Sequence, residues 1–359
     1  MDHAHAMNRR EFLRTTSSGA LAAMALGRSV GAEEPPPEPT AIPSYNEQME
    51  YRRLGRTDMW VSAVCLGGHW KRLDVAGGND YGLPEEQLRE AFHANRAEVV
   101  SACIDHGINY VDACTSGEVV AYTRALKGRR DRMYIGCSWA ERELRFPEWS
   151  TKEKLIQVVD EGMRESGLDY ADIWRCTGLM TEPQPDRDVE ALIEAFQTVH
   201  QQGKARYLGL SSHHRGFLKR AVETWPELSV ILFPYTANSK ELPQDSLFGA
   251  VRERQVGVFG IKPFASNSIF AGDSTPESST AQRDDDLARL TLRYILGNTA
   301  VTAPIPGLIS VHQVANAAQA VRERRELDLA EQARLRDLGA EAHARLPEDY
   351  AWLRDWEWV

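Results

Sequence analysis

The chain has 359 residues, 42% hydrophobic and 26% charged, enough for one large core or two smaller ones. Its formal net charge of −10 gives no electrostatic footprint for nucleic acid, because phosphate binding wants clustered Lys and Arg. No stretch of the sequence approaches the roughly 18 uninterrupted apolar residues of a transmembrane helix.

Residues 1–32 stand apart in composition. "NRREFLR" (8–14) is followed by a mildly apolar run, "GALAAMALG", and then by "VGA" (30–32), with small residues where a signal peptidase cuts. Arginine pair, Phe12-Leu13, apolar run and cleavage site in that order resemble a twin-arginine export signal. The resemblance implies use of the twin-arginine machinery and a periplasmic or otherwise exported destination. That route carries folded cargo, which hints at a cofactor loaded before export. Residues 33–48, "EEPPPEPTAIPSYNEQ", are rich in proline and charge and read as a linker that buries no core. The folded domain is expected over 49–345, and the remaining 346–359 form a tail rich in tryptophan. Burial of that tail against its own barrel is the default expectation, with an oligomer interface as the alternative.

From Val61 onward, short apolar runs alternate with amphipathic stretches. Strands are predicted at 61–67, 108–113, 133–138, 170–176, 205–212, 228–235, 256–263 and 301–307, with helical periods between them. Gly107, Gly167, Gly203 and Gly297 stand where helices should end. Eight strands alternating with helices predict a (β/α)₈ barrel of the TIM type, and no G-x-G-x-x-G opens a helix to favour a dinucleotide-binding doubly wound sheet. In such a barrel, function is built where the strands end. Those ends carry Gly67-Gly68-His69-Trp70, Asp112, Ser138-Trp139, Arg175 to Thr177, Ser211 to His214, Lys262 and Pro304 to Ser310.

The five cysteines, Cys65, Cys103, Cys114, Cys137 and Cys176, include no CxxC pair and are odd in number, so they read as buried small residues. His69, Cys114, His213 and Asp112 are candidates to converge, but their spacing carries no metal signature and no metal is expected.

"MEYRRLGRTDMWVSAVCLGG", "GINYVDA", "GKARYLGLSS" and "VTAPIPGLISVHQVANAAQAV" occur in order over most of Met49 to Val321 and together resemble the aldo/keto reductases. The resemblance implies a nicotinamide cofactor, NAD or NADP, lying over the barrel mouth. It also implies an aspartate, tyrosine, lysine and histidine that handle the proton accompanying hydride transfer. Of these four only the aspartate is matched, as Asp112. The tyrosine falls in the shortened segment after "VDAC", the lysine position reads Ser138 and the histidine position Thr177. On the cofactor side, Ser211 and Asn316 match the family. Ser212 stands for an asparagine, Leu232 for a glutamine, Ile261 for a stacking aromatic, and His312 for the arginine of members that prefer the 2′-phosphate. Gly307 and Ser310, before the last helix of that stretch, offer backbone N–H groups to phosphate.

Strand alternation turns Arg175 inward together with Thr177, and Asp112 comes from an alternate strand of the same layer, so the two are expected to pair. That pair is either a structural salt bridge or the floor of a polar pocket. Lys262, one of His213 and His214, and His69 with Trp70 are the candidates to replace the missing acid/base set. Insertions at 71–90 and 264–286 are candidate lids.

The leading expectation is an exported, nicotinamide-linked oxidoreductase acting on a carbonyl, sugar or polyol with a rebuilt acid/base set. A repurposed member that binds or transforms a sugar-like ligand without redox chemistry is the alternative, and a cofactor-free scaffold the third.

Overall fold

The computed structural model describes residues 37–69, 90–273, 275 and 277–359. The export signal, the start of the linker, Trp70 and all but the last residue of the 71–90 insertion therefore lie outside the described residues. A hairpin of β1 (Tyr51–Arg53) and β2 (Trp60–Ser62) leads into a parallel sheet. Its strands run in chain order: β3 (Tyr110–Ala113), β4 (Tyr134–Cys137), β5 (Ala171–Thr177), β6 (Ala205–Ser211), β7 (Leu228–Pro234), β8 (Gly257–Ile261) and β9 (Ala303–Ile305).

The ring is closed by residues 65–67. Leu66 N donates to the Tyr110 carbonyl at 3.0 Å and the Leu66 carbonyl accepts from Asp112 N at 2.8 Å, while Cys65 N and Gly67 N reach the carbonyls of Pro304 and Pro306 at 3.1 and 2.8 Å. The run predicted as one strand over 61–67 is thus two pieces. Ser62 makes the break, tied to the residue before β3: its N–H donates to Asn109 Oδ1 at 2.8 Å, and its hydroxyl accepts from Asn109 N at 3.1 Å and donates to the Val64 carbonyl at 2.7 Å. The first piece stays in the hairpin and the second enters the barrel wall.

Among the described residues, eight helices alternate with the strands: α1 (Glu90–Asp105), α2 (Ser116–Ala125), α3 (Lys152–Ser166), α4 (Asp186–Gln201), α5 (Arg215–Thr224), α6 (Leu247–Arg254), α7 (Ala281–Gly297) and α8 (Val311–Arg322). A further helix, α9 (Leu329–Arg345), follows them. The fold is the (β/α)₈ barrel read from the sequence. Gly167 caps α3 in the left-handed region, as expected, whereas Gly297 is still helical and Asn298 is the cap.

Inside the barrel, Ile173, Val230 and Leu232 pack with a stacked Tyr110–Phe259 pair, ring centroids 4.3 Å apart. Leu54, Met59 and Val61 from the hairpin join this cluster and plug the end opposite the catalytic face. The outward residues of β5, Trp174 and Cys176, join the larger cluster under the helices. All five cysteines are buried and free, Cys65 among them inside the barrel.

One chain end departs from the sequence reading and the other follows its default expectation. The described part of the linker, 37–48, is packed rather than extended. Ile42 is buried, the Ser44 hydroxyl donates to the Arg132 carbonyl at 2.7 Å, and Asn46 Nδ2 reaches the Asp105 carbonyl at 3.0 Å. Its turns satisfy their own backbone, so few apolar contacts suffice to dock it. The tail lies on its own barrel: Trp356 is buried and stacks on Phe233 with centroids 5.5 Å apart, and Val359 exchanges backbone hydrogen bonds with Lys240 and Leu242.

At the N-terminal face, Asp172 accepts from Arg130, Arg206 and the Ile135 N–H, each at 2.8 Å. Burial opposes its charge, but the two guanidinium groups outweigh it and hold the carboxyl below its usual range. A depressed folded-state pKa contributes stability above the unfolded value of about 3.9 and loses it as pH falls through the folded value. Asp172→Asn leaves two cations without their shared partner and is expected to cost about 3–5 kcal/mol at neutral pH. Denaturant midpoints measured at pH 7 and pH 3 should show a smaller penalty at the lower pH.

Candidate active site

The C-terminal ends of the strands surround an open cleft of about 1020 Å³. Asp112 and Arg175 form its floor. Nε and Nη2 of Arg175 reach the two Asp112 oxygens at 2.7 and 2.8 Å, the inward pairing expected from strand alternation. Burial pushes the Asp112 carboxyl above the usual carboxylate range even beside Arg175, while for Arg175 the burial penalty is outweighed by Asp112 and the guanidinium is held firmly cationic.

A donor chain runs sideways from this pair. Arg175 Nη1 donates to Thr177 Oγ1 at 3.2 Å, Thr177 Oγ1 lies 2.7 Å from Ser138 Oγ, and Ser138 donates to Glu143. Glu143 is fully buried and also accepts from Trp139 N, Trp174 Nε1 and Thr177 N at 3.0, 3.0 and 2.8 Å. Burial raises its pKa against these donors. Ser138 and Thr177 therefore hold a buried acid in place at the two positions where the resemblance implies a lysine and a histidine.

Opposite the floor, His69 and Glu118 make a second pair. Glu118 Oε1 lies 2.7 Å from His69 Nδ1 and accepts the His69 backbone N–H at 2.7 Å, and its Oε2 accepts the Cys114 N–H at 2.5 Å. Glu118 sits in the first turn of α2, whose N-cap, Thr115, accepts from the Glu118 N–H. The helix N-terminus favours the anion there. Burial works to raise the Glu118 pKa, but the His69 imidazole and the backbone N–H donors prevail and hold it below its usual range. Gly68 is required for this contact, since a Cβ there would fall 2.2 Å from the Glu118 carboxylate. The imidazole of His69 is partly exposed and lines the cleft.

The other histidines divide. His213 lines the cleft, stacked on Trp352 of the tail with centroids 4.0 Å apart, and its buried Nδ1 has no hydrogen-bond partner. Burial, then Lys262 and Arg145, push its pKa well below the ordinary histidine value, so it stays neutral. His214 faces away and caps α5, Nδ1 accepting from Phe217 N at 2.9 Å. Lys262 lines the cleft with its ammonium 5.8 Å from the Trp352 ring centroid. Its φ is +56°, and Ala265, Ser266 and Asn267 are also left-handed, which concentrates backbone strain in the 264–286 segment where it crosses the mouth.

A second cleft of about 780 Å³ adjoins the first and shares Phe264, Asn267 and Gly307 with it. His312 and Asn316 line it. His312 Nε2 is 2.7 Å from Asp285 Oδ2, and the Asn316 amide is engaged with Arg289 Nη1 at 2.5 Å and with the Asp285 carbonyl at 3.1 Å. Gly307 lets the chain pass close to Gly68, whose carbonyl oxygen would lie 2.7 Å from a Cβ. Ser211 lines the first cleft. Ser212 and Ser310 are not brought to either lining: the Ser212 hydroxyl donates to the Leu179 carbonyl at 3.0 Å, and the Ser310 hydroxyl caps α8.

Sequence reasoning did not single out Glu118, Glu143 or Arg145, which also lines the first cleft. For Glu118 a signal existed: Thr115-x-x-Glu118 is the spacing of a helix start whose glutamate reaches back to the preceding backbone. Glu143 and Arg145 lie in an irregular loop, where no periodicity marks direction.

Known proteins with this arrangement of chain agree with the fold. L-galactose dehydrogenase of Arabidopsis thaliana is 25% identical over 312 residues, 79% of this chain and 91% of that protein. L-glyceraldehyde 3-phosphate reductase of Escherichia coli (strain K12) is 23% identical over 263 residues, 69% of this chain and 72% of that one. An aldo-keto reductase from Bacillus halodurans in its holo form superposes with a TM-score of 0.60 at 23% identity, covering 84% of this chain and 99% of that chain. The description "Aldo/keto reductase family" matches residues 76–340, most of the chain and all of the barrel beyond its first strand, and on that match the chain belongs to the aldo/keto reductases.

Proposed function

We propose that this protein is an exported nicotinamide-linked oxidoreductase for a small polyhydroxylated carbonyl compound or its alcohol, with His69, held by Glu118, as the proton-handling group. The observation that carries this reading is the 2.7 Å contact between Glu118 and His69 Nδ1 at the edge of the cleft whose floor is Asp112 and Arg175. A carboxylate on Nδ1 fixes the ring orientation, and Nε2 is the atom assigned to exchange a proton with a substrate oxygen. Asp112–Arg175 sets a fixed dipole below that oxygen, and the donor chain through Thr177 and Ser138 keeps the floor rigid. Two relatives named for a sugar and a sugar phosphate support a polyhydroxylated substrate.

The residues fit a dinucleotide. The two adjoining clefts share Gly307, whose missing side chain lets the chain pack on the Gly68 backbone between them, and Ser211 lines the one and His312 the other. A bound nicotinamide supplies the hydride donor or acceptor for the substrate carbon. At the far end, Asp285 stands beside His312, and Asp284 lines the same cleft. Carboxylates suit a ribose hydroxyl and repel a 2′-phosphate. NADH should therefore bind at least tenfold more tightly than NADPH in a fluorescence titration; tighter NADPH would overturn the assignment of this end.

Export by the twin-arginine route rests on the motif at 8–14 and the small residues at 30–32. Free nicotinamide nucleotide is scarce outside the cytoplasm, so the exported enzyme carries its cofactor with it.

A further inference from the structure

Among the described residues, the cleft is lined by a guanidinium with no carboxylate beside it. The lining of the cleft contains, among the described residues, two carboxylates, Asp112 and Glu118, and three cations besides histidine, Arg145, Arg175 and Lys262. Both carboxylates are committed, Asp112 to Arg175 and Glu118 to His69. Arg145 has no carboxylate partner among the described residues. Its Nη2 reaches only the thioether sulfur of Met180, at 2.9 Å, and its buried Nε has no hydrogen-bond partner. A thioether is a weak acceptor, and a buried guanidinium N–H without an acceptor is costly.

The loop that carries Arg145 is firmly mounted. The neighbouring Glu143 is anchored by Ser138, Trp139, Trp174 and Thr177, and the Leu144 carbonyl accepts from Gln184 Nε2 at 3.1 Å. A cation held in place over a cleft loses little freedom when a ligand arrives. Its field is felt across the site, since Arg145 and Lys262 both act against protonation of His213.

We infer that Arg145 is the subsite for an oxyanion carried by the substrate, a carboxylate or a phosphate, which takes the guanidinium N–H groups now left to Met180 and to no partner. Lys262, in the same lining, adds a second positive charge. The inference rests on the first cleft being the substrate pocket, and it narrows the substrate class from polyhydroxylated compounds to anionic ones, sugar acids or sugar phosphates. Guanidinium pairs planar oxyanions through two parallel N–H bonds, which gives direction as well as attraction.

The test is direct binding to the full-length protein, by calorimetry with and without saturating NAD, of three probes: D-glucose, D-glucuronate and D-glucose 6-phosphate. At least one charged probe should bind at least tenfold more tightly than glucose. Arg145→Met should abolish that advantage while leaving the melting temperature and NAD affinity unchanged, and Arg145→Lys should keep part of it as a point charge. An advantage for glucuronate alone identifies a carboxylate, for glucose 6-phosphate alone a phosphate. The inference fails if neither charged probe outbinds glucose, or if the advantage survives Arg145→Met. It also fails if NAD removes the advantage, since the oxyanion would then be the cofactor's own. Because binding is read without turnover, loss of NAD binding with the Arg145-dependent advantage intact would sink the redox reading and leave the anion subsite standing.

Discussion

His69→Gln should lower NAD-linked turnover by about 10²- to 10⁴-fold, the range for loss of a positioned general acid, with the NADH dissociation constant changed less than twofold. The residue lies at the mouth, backed by a buried carboxylate at 2.7 Å, and glutamine retains polarity without a proton to exchange at the imidazole position. Glu118→Gln should fall in the same direction for a different reason. Glu118 accepts from two backbone N–H groups, those of His69 and Cys114, as well as meeting the His69 ring. A carboxamide has one oxygen, so its NH₂ must face a donor, and the His69 orientation is lost. Steady-state kinetics of both variants, with NADH binding measured separately, check this. If either variant keeps more than half of the wild-type kcat, the proton is handled elsewhere in the cleft.

Asp112→Asn should produce the largest loss of stability among single changes at the barrel mouth. It keeps the shape of the side chain but leaves Arg175 cationic and almost fully buried, where removing one partner of a buried pair costs about 3–5 kcal/mol. A fall in melting temperature of roughly 6–12 °C follows. Arg175 also donates to Thr177, so the disturbance spreads to Ser138 and Glu143. The double replacement Asp112→Leu with Arg175→Met removes both charges and should recover much of the loss, because well-packed apolar groups often match a buried ion pair. Calorimetry of the two variants beside the wild type separates the outcomes. A single variant melting within 1 °C of wild type would mean that the pair contributes chemistry and little stability.

The strands were legible because apolar runs of four to eight residues repeat between amphipathic stretches, and the observed β3 to β9 fall inside or within one residue of the predicted runs. The Asp112–Arg175 pair was legible for a related reason, since alternation along a strand fixes which residues point inward. What remained hidden depends on groups brought together by loops and turns. Glu118 reads as an interruption after "VDAC" until α2 starts at Ser116 and turns the carboxylate back towards His69. Arg145 sits in irregular chain, where direction is set by Glu143 and its donors rather than by any repeat. Composition misjudged residues 37–48, because proline and charge describe how little a segment buries and say nothing of how well its turns dock. Ser212 was placed by position in a motif, and its hydroxyl is taken up by the Leu179 carbonyl and the His214 N–H.

The most direct measurement is the absorbance and mass spectrum of small molecules released when the purified protein is denatured. Near-stoichiometric NAD is the expected result: it establishes a preloaded nicotinamide enzyme and makes the His69–Glu118 pair the first place to look for its acid. Release of no nucleotide, together with no rise in melting temperature on adding NADH, would contradict nicotinamide-linked chemistry in this cleft.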